Sequence, residues 1–442
     1  MTSSQPSRSA AAEPAPGDVD IRTDPYWWDG TPRPPVDPAP PPPSVDVVVV
    51  GAGYTGLHAA LVTARAGRST LVLDAEDAGF GCSTRNGGQV STSIKADFHA
   101  LAARYGAAQA AALIREGQRS LQWLGEFIDA EAIDCDFRVC GRFHAAHGAR
   151  ALTRMVRAVE SQPADLAVET RIVTRAEQHE ELGTDAYHGG VVYARHAALD
   201  PARYHQGLLA RVQAAGAQIR ARCAALAIEG TGPFQVVTSR GVVRARDLVV
   251  ATNALTGPLT PWLQRRVIPI GSYIIATEPL APATMAKLMP RDRVVTDTRR
   301  VVYYYRASPD RTRILFGGRV SASETDARVT APRLLRELVA LFPELAGVRI
   351  SHSWGGLVAY TFDSLPHTGV HAGAHYALGY CGSGVGMASY LGRLCGERVL
   401  RPAGVDSALG ELSFPTRPLY RGKPWFLPAV IAWYRWLDRC AL

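Results

Sequence analysis

The chain of 442 residues is long enough for two domains, and its 47% hydrophobic content can fill a large core. Its formal charge of +8 is spread along the chain without a basic patch or a reader motif, so we expect no nucleic-acid partner. An N-terminus without an apolar secretory segment, the absence of an apolar run that could span a membrane, and seven irregularly spaced cysteines predict a reduced, cytoplasmic protein.

Residues 1–43 form a leader rich in Pro, Ala and Ser, which we predict to be partly disordered. The stretch "PPVDPAPPPPS" must be extended, because proline fixes φ and lacks an N–H. The aromatic residues Tyr26, Trp27 and Trp28 interrupt this leader and are too apolar to remain in water. We expect them to dock on the body of the protein, either as simple packing or as a lid.

The first ordered segment begins with a buried strand over Val47 to Val50, followed by the pattern GxGxxG at Gly51, Gly53 and Gly56. The first glycine permits a tight turn, the second lets the backbone approach a pyrophosphate, and the third lets the helix pack on the strand. Asp74 ends the next strand, where an acid can bind ribose hydroxyls and disfavours a 2′-phosphate. The segment therefore predicts an FAD or NAD site, since both cofactors use this fingerprint.

Elements of the nucleotide-binding type recur at the start, middle and end of the chain, and β-rich segments lie between them. This order predicts a mixed α/β (α+β) fold with a discontinuous Rossmann-like domain and an inserted β-rich substrate domain. The predicted boundaries are 44–95, 185–262 and 350–415 for the nucleotide domain, 96–184 and 263–349 for the substrate domain, and 416–442 for a C-terminal aromatic helix.

The segment "GCSTRNGGQ", from Gly81 to Gln89, resembles the stretch that passes along the flavin in the D-amino-acid oxidase superfamily, in its γ-glutamylputrescine oxidase-like subgroup. The segments "LVVATNALTG", "RVVYYYRASPDRTRILFGGR", "WGGLVAYTFDSLPHTG" and "GYCGSGVGMASYLG" resemble later parts of the same family, in the same order. The resemblance covers roughly residues 25–440 and implies that the nucleotide is FAD. Positive helix ends at the last glycine turn would then stabilise charge on the reduced flavin.

The resemblance and the fingerprint together imply the following FAD-binding residues: Gly51, Gly53, Gly56, Asp74, Arg85, Asn86, Gly87, Gly88, Ala225, Thr252, Asn253, Gly382, Ser383, Gly384, Val385 and Gly386. Some family members bind flavin covalently through a Cys where this chain has Val358 and Ala359, or through a His near the first segment, where this chain has none. We therefore predict non-covalent FAD, with Cys381 as the residue that could contradict this. No metal is expected, because His144 and His147 lack an adjacent carboxylate.

Four residues are candidates for the substrate side of the ring: Tyr273, Tyr304, Tyr305 and Arg306. Tyrosines could form an aromatic wall, and Arg306 could pair a substrate carboxylate with two hydrogen bonds. The alternative is that these tyrosines belong to the core of a sheet and that Arg306 is a surface arginine.

The resemblance implies FAD-dependent oxidation of an amine C–N bond, with γ-glutamylputrescine or a related secondary amine or amino acid as substrate. Hydride would pass to flavin N5, the imine would hydrolyse, and O2 would be reduced to H2O2. One alternative is a dehydrogenase of the same fold that passes electrons to a quinone or carrier, with the C-terminal helix and its Trp433 and Trp436 as a peripheral membrane contact. An NAD-linked dehydrogenase and a non-catalytic flavoprotein are further alternatives, and the oligomeric state stays open.

Overall fold

A computed structural model describes residues 21–321 and 325–439 of the chain. Part of the leader for which disorder is predicted, residues 1–20, lies outside the described residues. The helices are α1 (Tyr54–Arg65), α2 (Phe98–Tyr105), α3 (Ala107–Ala130), α4 (Ala149–Glu160), α5 (Pro201–Ala214), α6 (Pro261–Gln264), α7 (Pro282–Leu288), α8 (Ala327–Leu341), α9 (Gly384–Leu400) and α10 (Leu427–Arg439). The strands are β1 (Ser44–Val50), β2 (Thr70–Leu73), β3 (Gln89–Val90), β4 (Arg142–Ala145), β5 (Thr170–Val173), β6 (Gly190–Tyr193), β7 (Ala197–Ala198), β8 (Gln218–Arg220), β9 (Ala225–Glu229), β10 (Phe234–Thr238), β11 (Gly241–Val250), β12 (Ile268–Thr277), β13 (Val294–Asp297), β14 (Tyr303–Ala307), β15 (Ile314–Ser321), β16 (Ile350–Tyr360), β17 (His367–His371) and β18 (Ala374–Leu378).

The first sheet has the order β17-β18-β11-β1-β2-β8, and β10 and β9 extend it from β11. Strand β1 pairs in parallel with both β2 and β11, as its unbroken run of buried valines predicts for a strand covered on both faces. Helices α1 and α9 pack against each other and contribute buried residues to the same core as β1. This sheet is the Rossmann-like part of the molecule, and the glycine-rich turn follows directly from the carboxyl end of β1.

The second sheet has the order β16-β12-β15-β14-β13-β4-β6-β5 and is largely antiparallel. Leu334, Leu338 and Leu341 of helix α8 pack on one face, together with Tyr305 and Phe316 of the sheet. The side chains that alternate with these core residues face a cavity between the two sheets.

The predicted domain boundaries do not follow the sheet membership at two places. Residues 185–262 and 350–415 were assigned to the nucleotide domain, but β6 and β16 both pair within the second sheet. Short strands of both sheets have the same alternating pattern, so the sequence does not indicate which sheet a strand joins.

The aromatic residues of the leader dock on the body, as expected. Trp27 is buried, and its indole N–H donates to the carbonyl oxygen of Asn86 at 2.9 Å, while the indole of Trp28 donates to Oγ1 of Thr84 at 3.0 Å. A third indole, that of Trp354 in β16, donates to the carbonyl oxygen of Arg85 at 2.8 Å. The three tryptophans therefore hold residues 84–86, two through backbone carbonyl oxygens and one through the hydroxyl of Thr84.

Helix α10 carries Trp433 and Trp436, which stack on each other with ring centroids 4.9 Å apart and remain exposed. Its buried contact lies near its start, where Leu427 packs with Ile268, Ile270 and Tyr420. Within residues 21–321 and 325–439, no helix combines the length and the apolar character needed to cross a bilayer.

Candidate functional site

A continuous cavity of about 1220 Å³ runs from the glycine-rich turn to the inner face of the second sheet. One end is lined by Gly51, Gly53, Asp74 and Thr252, at the carboxyl ends of the strands of the first sheet. The other end lies under the second sheet, where Arg142 and other polar residues face it. An elongated cleft at the carboxyl edge of a parallel sheet is the usual location of a dinucleotide.

The glycine-rich turn is packed so closely that side chains cannot be added. A Cβ at Gly56 would lie 1.8 Å from the carbonyl oxygen of Gly51, and one at Gly51, where φ is +109°, would lie 2.7 Å from that of Ala251. The backbone at the start of α1 therefore remains open to the cavity, with the positive end of the helix facing it. The site fits a pyrophosphate at this point.

Asp74 follows β2 and faces the cavity next to the turn. Its Oδ2 accepts a hydrogen bond from the N–H of Ala52 at 2.7 Å, and its Oδ1 accepts one from Glu76 at 3.0 Å. Burial raises the pKa of this carboxyl, and the two backbone N–H groups oppose that change. The carboxylate thus lies where ribose hydroxyls of a bound nucleotide would reach it.

The segment after β2 forms a tight turn under the tryptophans. The side-chain amide of Asn86 donates to the carbonyl oxygens of Cys82 and Ser83, and its Oδ1 accepts from the N–H of Gly88 at 2.8 Å. The side chain of Asn86 is therefore used to hold the loop, and the adjacent Gly87 lies against the ring of Tyr304. This arrangement presents loop backbone to the middle of the cavity.

Helix α9 begins at the same part of the cavity, after Gly382 with φ +86°. The ammonium of Lys95 donates to the carbonyl oxygen of Cys381, and Oγ of Ser93 donates to that of Ser383 at 3.1 Å. The thiol of Cys381 is buried, donates to the carbonyl oxygen of Gly379 at 3.2 Å, and does not line the cavity. The N-termini of α1 and α9, which follow β1 and β18 of the first sheet, thus both face one elongated site.

Most of the residues predicted for the site line this cavity. They are Gly51, Gly53, Asp74, Arg85, Asn86, Gly87, Ala225, Thr252, Asn253, Tyr304, Gly382, Ser383, Gly384 and Val385. The residues that do not line it are Gly56, Gly88, Gly386, Tyr273, Tyr305 and Arg306. Gly56 and Gly88 permit close packing, since a Cβ at Gly88 would lie 2.2 Å from the carbonyl oxygen of Leu199, whereas a Cβ at Gly386 would make ordinary contact with Ser120.

The structure places three of the four proposed catalytic residues outside the cavity. Tyr273 packs in the core of the second sheet, and its hydroxyl accepts from the N–H of Thr325 at 2.5 Å. Tyr305 is fully buried in the same core, and its hydroxyl donates to that of Tyr187. Both face away from Tyr304 because alternate residues of a strand lie on opposite faces.

Arg306 is buried, and its guanidinium donates to the carbonyl oxygens of Leu199 at 2.8 Å and Gly88 at 3.2 Å. These hydrogen bonds hold the backbone next to the loop of residues 81–89, and Arg306 does not reach the cavity. The expected pairing of Arg306 with a substrate carboxylate is not compatible with this position.

The end of the cavity beneath the second sheet contains polar residues that the sequence analysis did not assign to the FAD or substrate site. Arg142 and His144 of β4, Tyr193 of β6 and Thr296 of β13 face it, and Lys95 lies near the start of α9. Burial lowers the pKa of His144 to about 3, so this imidazole is neutral at ordinary pH. The alternation of "RFHA" was the signal that could have shown Arg142 and His144 on one face of a strand.

Helix α4 closes this end of the cavity. Its residues Ala151, Met155, Ala158 and Val159 line it at the spacing of one helical face.

His144 and His147 were considered as a metal pair in the sequence, and no metal was expected there. In the structure, the imidazole Nδ1 of His147 lies 2.7 Å from Oγ1 of Thr298. In the part of the chain that the structure describes, no group of three or more His, Cys, Asp or Glu side chains could hold a metal ion.

A parallel sheet with a glycine-rich turn, an acid after the second strand and a cleft leading beneath a second sheet define a dinucleotide-dependent oxidoreductase. Residues 46–398 match the family described as FAD dependent oxidoreductase. The chain belongs to this FAD-dependent oxidoreductase family, which confirms the predicted superfamily and identifies the cofactor as FAD.

Relatives of this chain match over nearly its whole length. A probable oxidoreductase OrdL of Rhizobium meliloti is 32% identical over 93% of this chain and 97% of the relative. The gamma-glutamylputrescine oxidoreductase of Escherichia coli is 31% identical over 89% of this chain and 93% of the relative.

Solved structures confirm the predicted fold class. The L-proline dehydrogenase of P. horikoshii superposes with a TM-score of 0.68 at 18% identity, covering 88% of this chain and 99% of that structure. The glycine oxidase of Geobacillus kaustophilus gives the same TM-score and identity, with 86% and 99% coverage. At this level of identity the likeness establishes the fold alone.

Proposed function

We propose that this protein oxidises the C–N bond of an amine to an imine, with γ-glutamylputrescine or a related N-substituted or secondary amine as the substrate. The observation that carries this proposal is the continuous cavity, which joins the nucleotide end to a closed polar pocket under the second sheet. The name of the Escherichia coli relative supports the substrate class. Bound FAD would supply a hydride acceptor at N5 and deliver the electrons to O2, giving H2O2.

The residues we propose to hold FAD are those of the predicted set that line the cavity. The turn at Gly51 and Gly53 would receive the pyrophosphate and Asp74 the ribose. The loop at Asn86 and Gly87 and the start of α9 would contact the flavin ring. Gly56 and Gly88 would act by permitting the close packing beneath these contacts.

The pocket residues would orient the amine and keep it unprotonated. The Tyr304 hydroxyl lies 2.9 Å from Oγ of Ser272, which fixes the ring as one wall beside Gly87. The ammonium of Lys95, beside a neutral His144, gives this part of the pocket a positive potential. A positive environment disfavours a protonated amine, and the neutral amine is the form that can lose a hydride.

The test is the visible spectrum of the purified protein, followed without oxygen as γ-glutamylputrescine, sarcosine and other amines are added in turn. Bleaching of the flavin bands by one amine, with an aldehyde or oxo acid as product, would support the proposal. A flavin spectrum that no amine bleaches would contradict it and favour a non-catalytic flavoprotein.

We also propose that FAD is held without a covalent bond. Cys82 is the cysteine that lines the cavity within the described residues, and its thiol donates to the carbonyl oxygen of Leu357 at 2.6 Å. Denaturation with acid should release all of the flavin into the supernatant. Flavin retained in the pellet of the wild type, but not of Cys82→Ser, would identify a covalent bond.

The exposed tryptophans of α10 favour a second candidate for the electron acceptor, a quinone or carrier met at a membrane surface. Rapid reoxidation of the reduced protein in air, with one H2O2 per amine, would support O2. Slow reoxidation in air that a soluble quinone accelerates would support the second candidate.

A further inference from the structure

Arg142 lies in the substrate end of the cavity with no acidic partner. Its guanidinium stacks over the ring of Tyr193 at 4.8 Å, and its Nε is buried without a hydrogen-bond partner. No carboxylate of the described residues lies within ion-pairing distance of it. By contrast, Arg299 and Arg300 at the same cavity pair with Asp297 and Asp438.

A guanidinium that is half removed from water without a carboxylate partner is costly, because the ring of Tyr193 replaces its lost hydration only in part. Burial lowers the pKa of Arg142, and its charge in turn helps to lower the pKa values of His144 and His196. Both imidazoles are therefore neutral, and neither adds a second positive charge beside the guanidinium. The cavity itself is the space from which an anion can reach this guanidinium.

The register of the second sheet gives the distance of this cation from the proposed flavin contact. Thr296 of β13 pairs with both His144 of β4 and Tyr304 of β14, so Arg142 is two strands and two residues away from Tyr304. At about 4.8 Å per strand and about 3.3 Å per residue, the two Cα atoms are roughly 12 Å apart. The guanidinium lies over Tyr193 of β6, which is the neighbour of β4 on the side away from β14.

Resting on the proposed function, we propose that Arg142 binds a carboxylate at the far end of the substrate, remote from the carbon that is oxidised. An α-amino acid places its carboxylate next to the oxidised carbon and cannot reach Arg142 at the same time. An extended chain gains about 3.5 Å per three bonds, so a separation of this size corresponds to roughly nine bonds. The substrate class is therefore an acyl-polyamine-like chain with a terminal carboxylate.

Two synthetic amines test this assignment, because they differ only at the remote end. N-glutarylputrescine carries the carboxylate, and N-valerylputrescine has the same amine and amide but no charge. For the wild type we expect a lower KM for the first amine. Arg142→Gln should raise that KM by about 10- to 100-fold and leave the KM for the second amine and both kcat values within about threefold, since a charged hydrogen-bonded contact contributes in this range.

Binding without turnover gives a second readout. N-butylglutaramate keeps the amide and the carboxylate but lacks the amine, and calorimetry with the FAD-loaded protein should show its affinity fall in Arg142→Gln and return in part in Arg142→Lys. Arg150→Gln is the control, because Arg150 is an exposed arginine on α4 that does not line the cavity.

The outcomes separate this proposal from the proposed function. If the wild type oxidises both amines and Arg142→Gln raises their KM values equally, the remote-carboxylate assignment is overturned and amine oxidation stands. If Lys95→Met abolishes the preference while Arg142→Gln does not, the carboxylate binds at the ring end, which also overturns it. If neither amine is oxidised but N-butylglutaramate binds through Arg142, the anion site stands and the proposed reaction fails.

Discussion

Oδ2 of Asp74 accepts a hydrogen bond from the backbone N–H of Ala52, inside the glycine-rich turn, at a distance of 2.7 Å. The carboxylate thus connects the end of β2 to the turn that follows β1, and its remaining lone pairs face the cavity. Asp74 thus fixes the shape of the loop, and we propose that it also contacts the bound nucleotide.

Asp74→Ala should reduce the FAD content of the purified protein at least tenfold, because both the loop and the proposed ribose contact are lost. Asp46→Ala is a matched control: Asp46 accepts from the N–H and hydroxyl of Ser69 at the opposite end of the same two strands, away from the cavity. Both variants should lose about 1–2 kcal/mol of stability. Equal flavin retention in the two variants, measured by absorbance and by titration of FAD, would contradict the role of Asp74.

The stability of the protein should fall as the pH falls from 6.5 towards 4. Burial lowers the pKa values of His58 and His144 to about 3 and that of His205 to about 4. Each is neutral in the folded state, while the unfolded chain binds a proton near pH 6.5. The stabilising contribution is therefore complete above the unfolded pKa and is lost on acidification.

Each such histidine adds about 1.4 kcal/mol per pH unit to the slope of the unfolding free energy. His58→Gln should remove one of these contributions while keeping a partner for the hydroxyl of Tyr204, which lies 2.8 Å from Nε2 of His58. His99→Gln is the matched control, because it removes an exposed histidine of α2 in place of a buried one. Urea unfolding at several pH values between 4 and 7 measures both, and parallel slopes for His58→Gln and the wild type would exclude the linkage.

The nucleotide half of the site could be predicted from the sequence because its geometry depends on local backbone rules. The backbone at Gly51 has a positive φ, the position of Gly56 has no room for a Cβ, and Asp74 comes directly after the end of a strand. These constraints act over a few consecutive residues, so they can be recognised in the amino-acid sequence.

The substrate half depended on pairing between distant strands, which the sequence does not specify. "YYYRA" could place either Tyr304 or Tyr305 towards the cavity, and the register with Thr296 and Gly317 decides for Tyr304. The position of Arg142 in the site could not be predicted, because its lack of a nearby carboxylate is a property of the folded chain and not of its local sequence. The indoles of Trp27 and Trp354, which fix the loop at Asn86, come from opposite ends of the chain.

Asp438 of α10 should control the order of one edge of the cavity. Its carboxylate oxygens accept from the backbone N–H groups of Arg300 at 2.9 Å and Val301 at 3.0 Å, and Arg300 lines the cavity. Asp438→Ala leaves both N–H groups without this acceptor, which costs about 1–3 kcal/mol locally. Hydrogen exchange of a peptide that covers residues 298–303 should become faster, with unchanged FAD content.

Trp436→Ala tests whether this effect is specific to the carboxylate. Trp436 lies on the same helix, is half exposed, and should leave the exchange of residues 298–303 unchanged. If both variants accelerate the exchange equally, the helix acts through its general packing and the hydrogen bonds of Asp438 are not the cause.

Arg306, which is buried, and Arg142, which is half-buried, should respond to substitution in opposite directions. Arg306 satisfies the carbonyl oxygens of Leu199 and Gly88, and its loss in Arg306→Met should destabilise the protein by about 2–4 kcal/mol. Arg142 has no carboxylate partner and its Nε makes no hydrogen bond, so Arg142→Met should leave the melting temperature unchanged or raise it. Thermal unfolding of the two variants beside the wild type, with kcat and KM for N-glutarylputrescine, measures both effects. A melting temperature for Arg142→Met as low as that of Arg306→Met would show that Arg142 supports the fold. Binding of an anionic ligand would then not be needed to explain its unpaired charge.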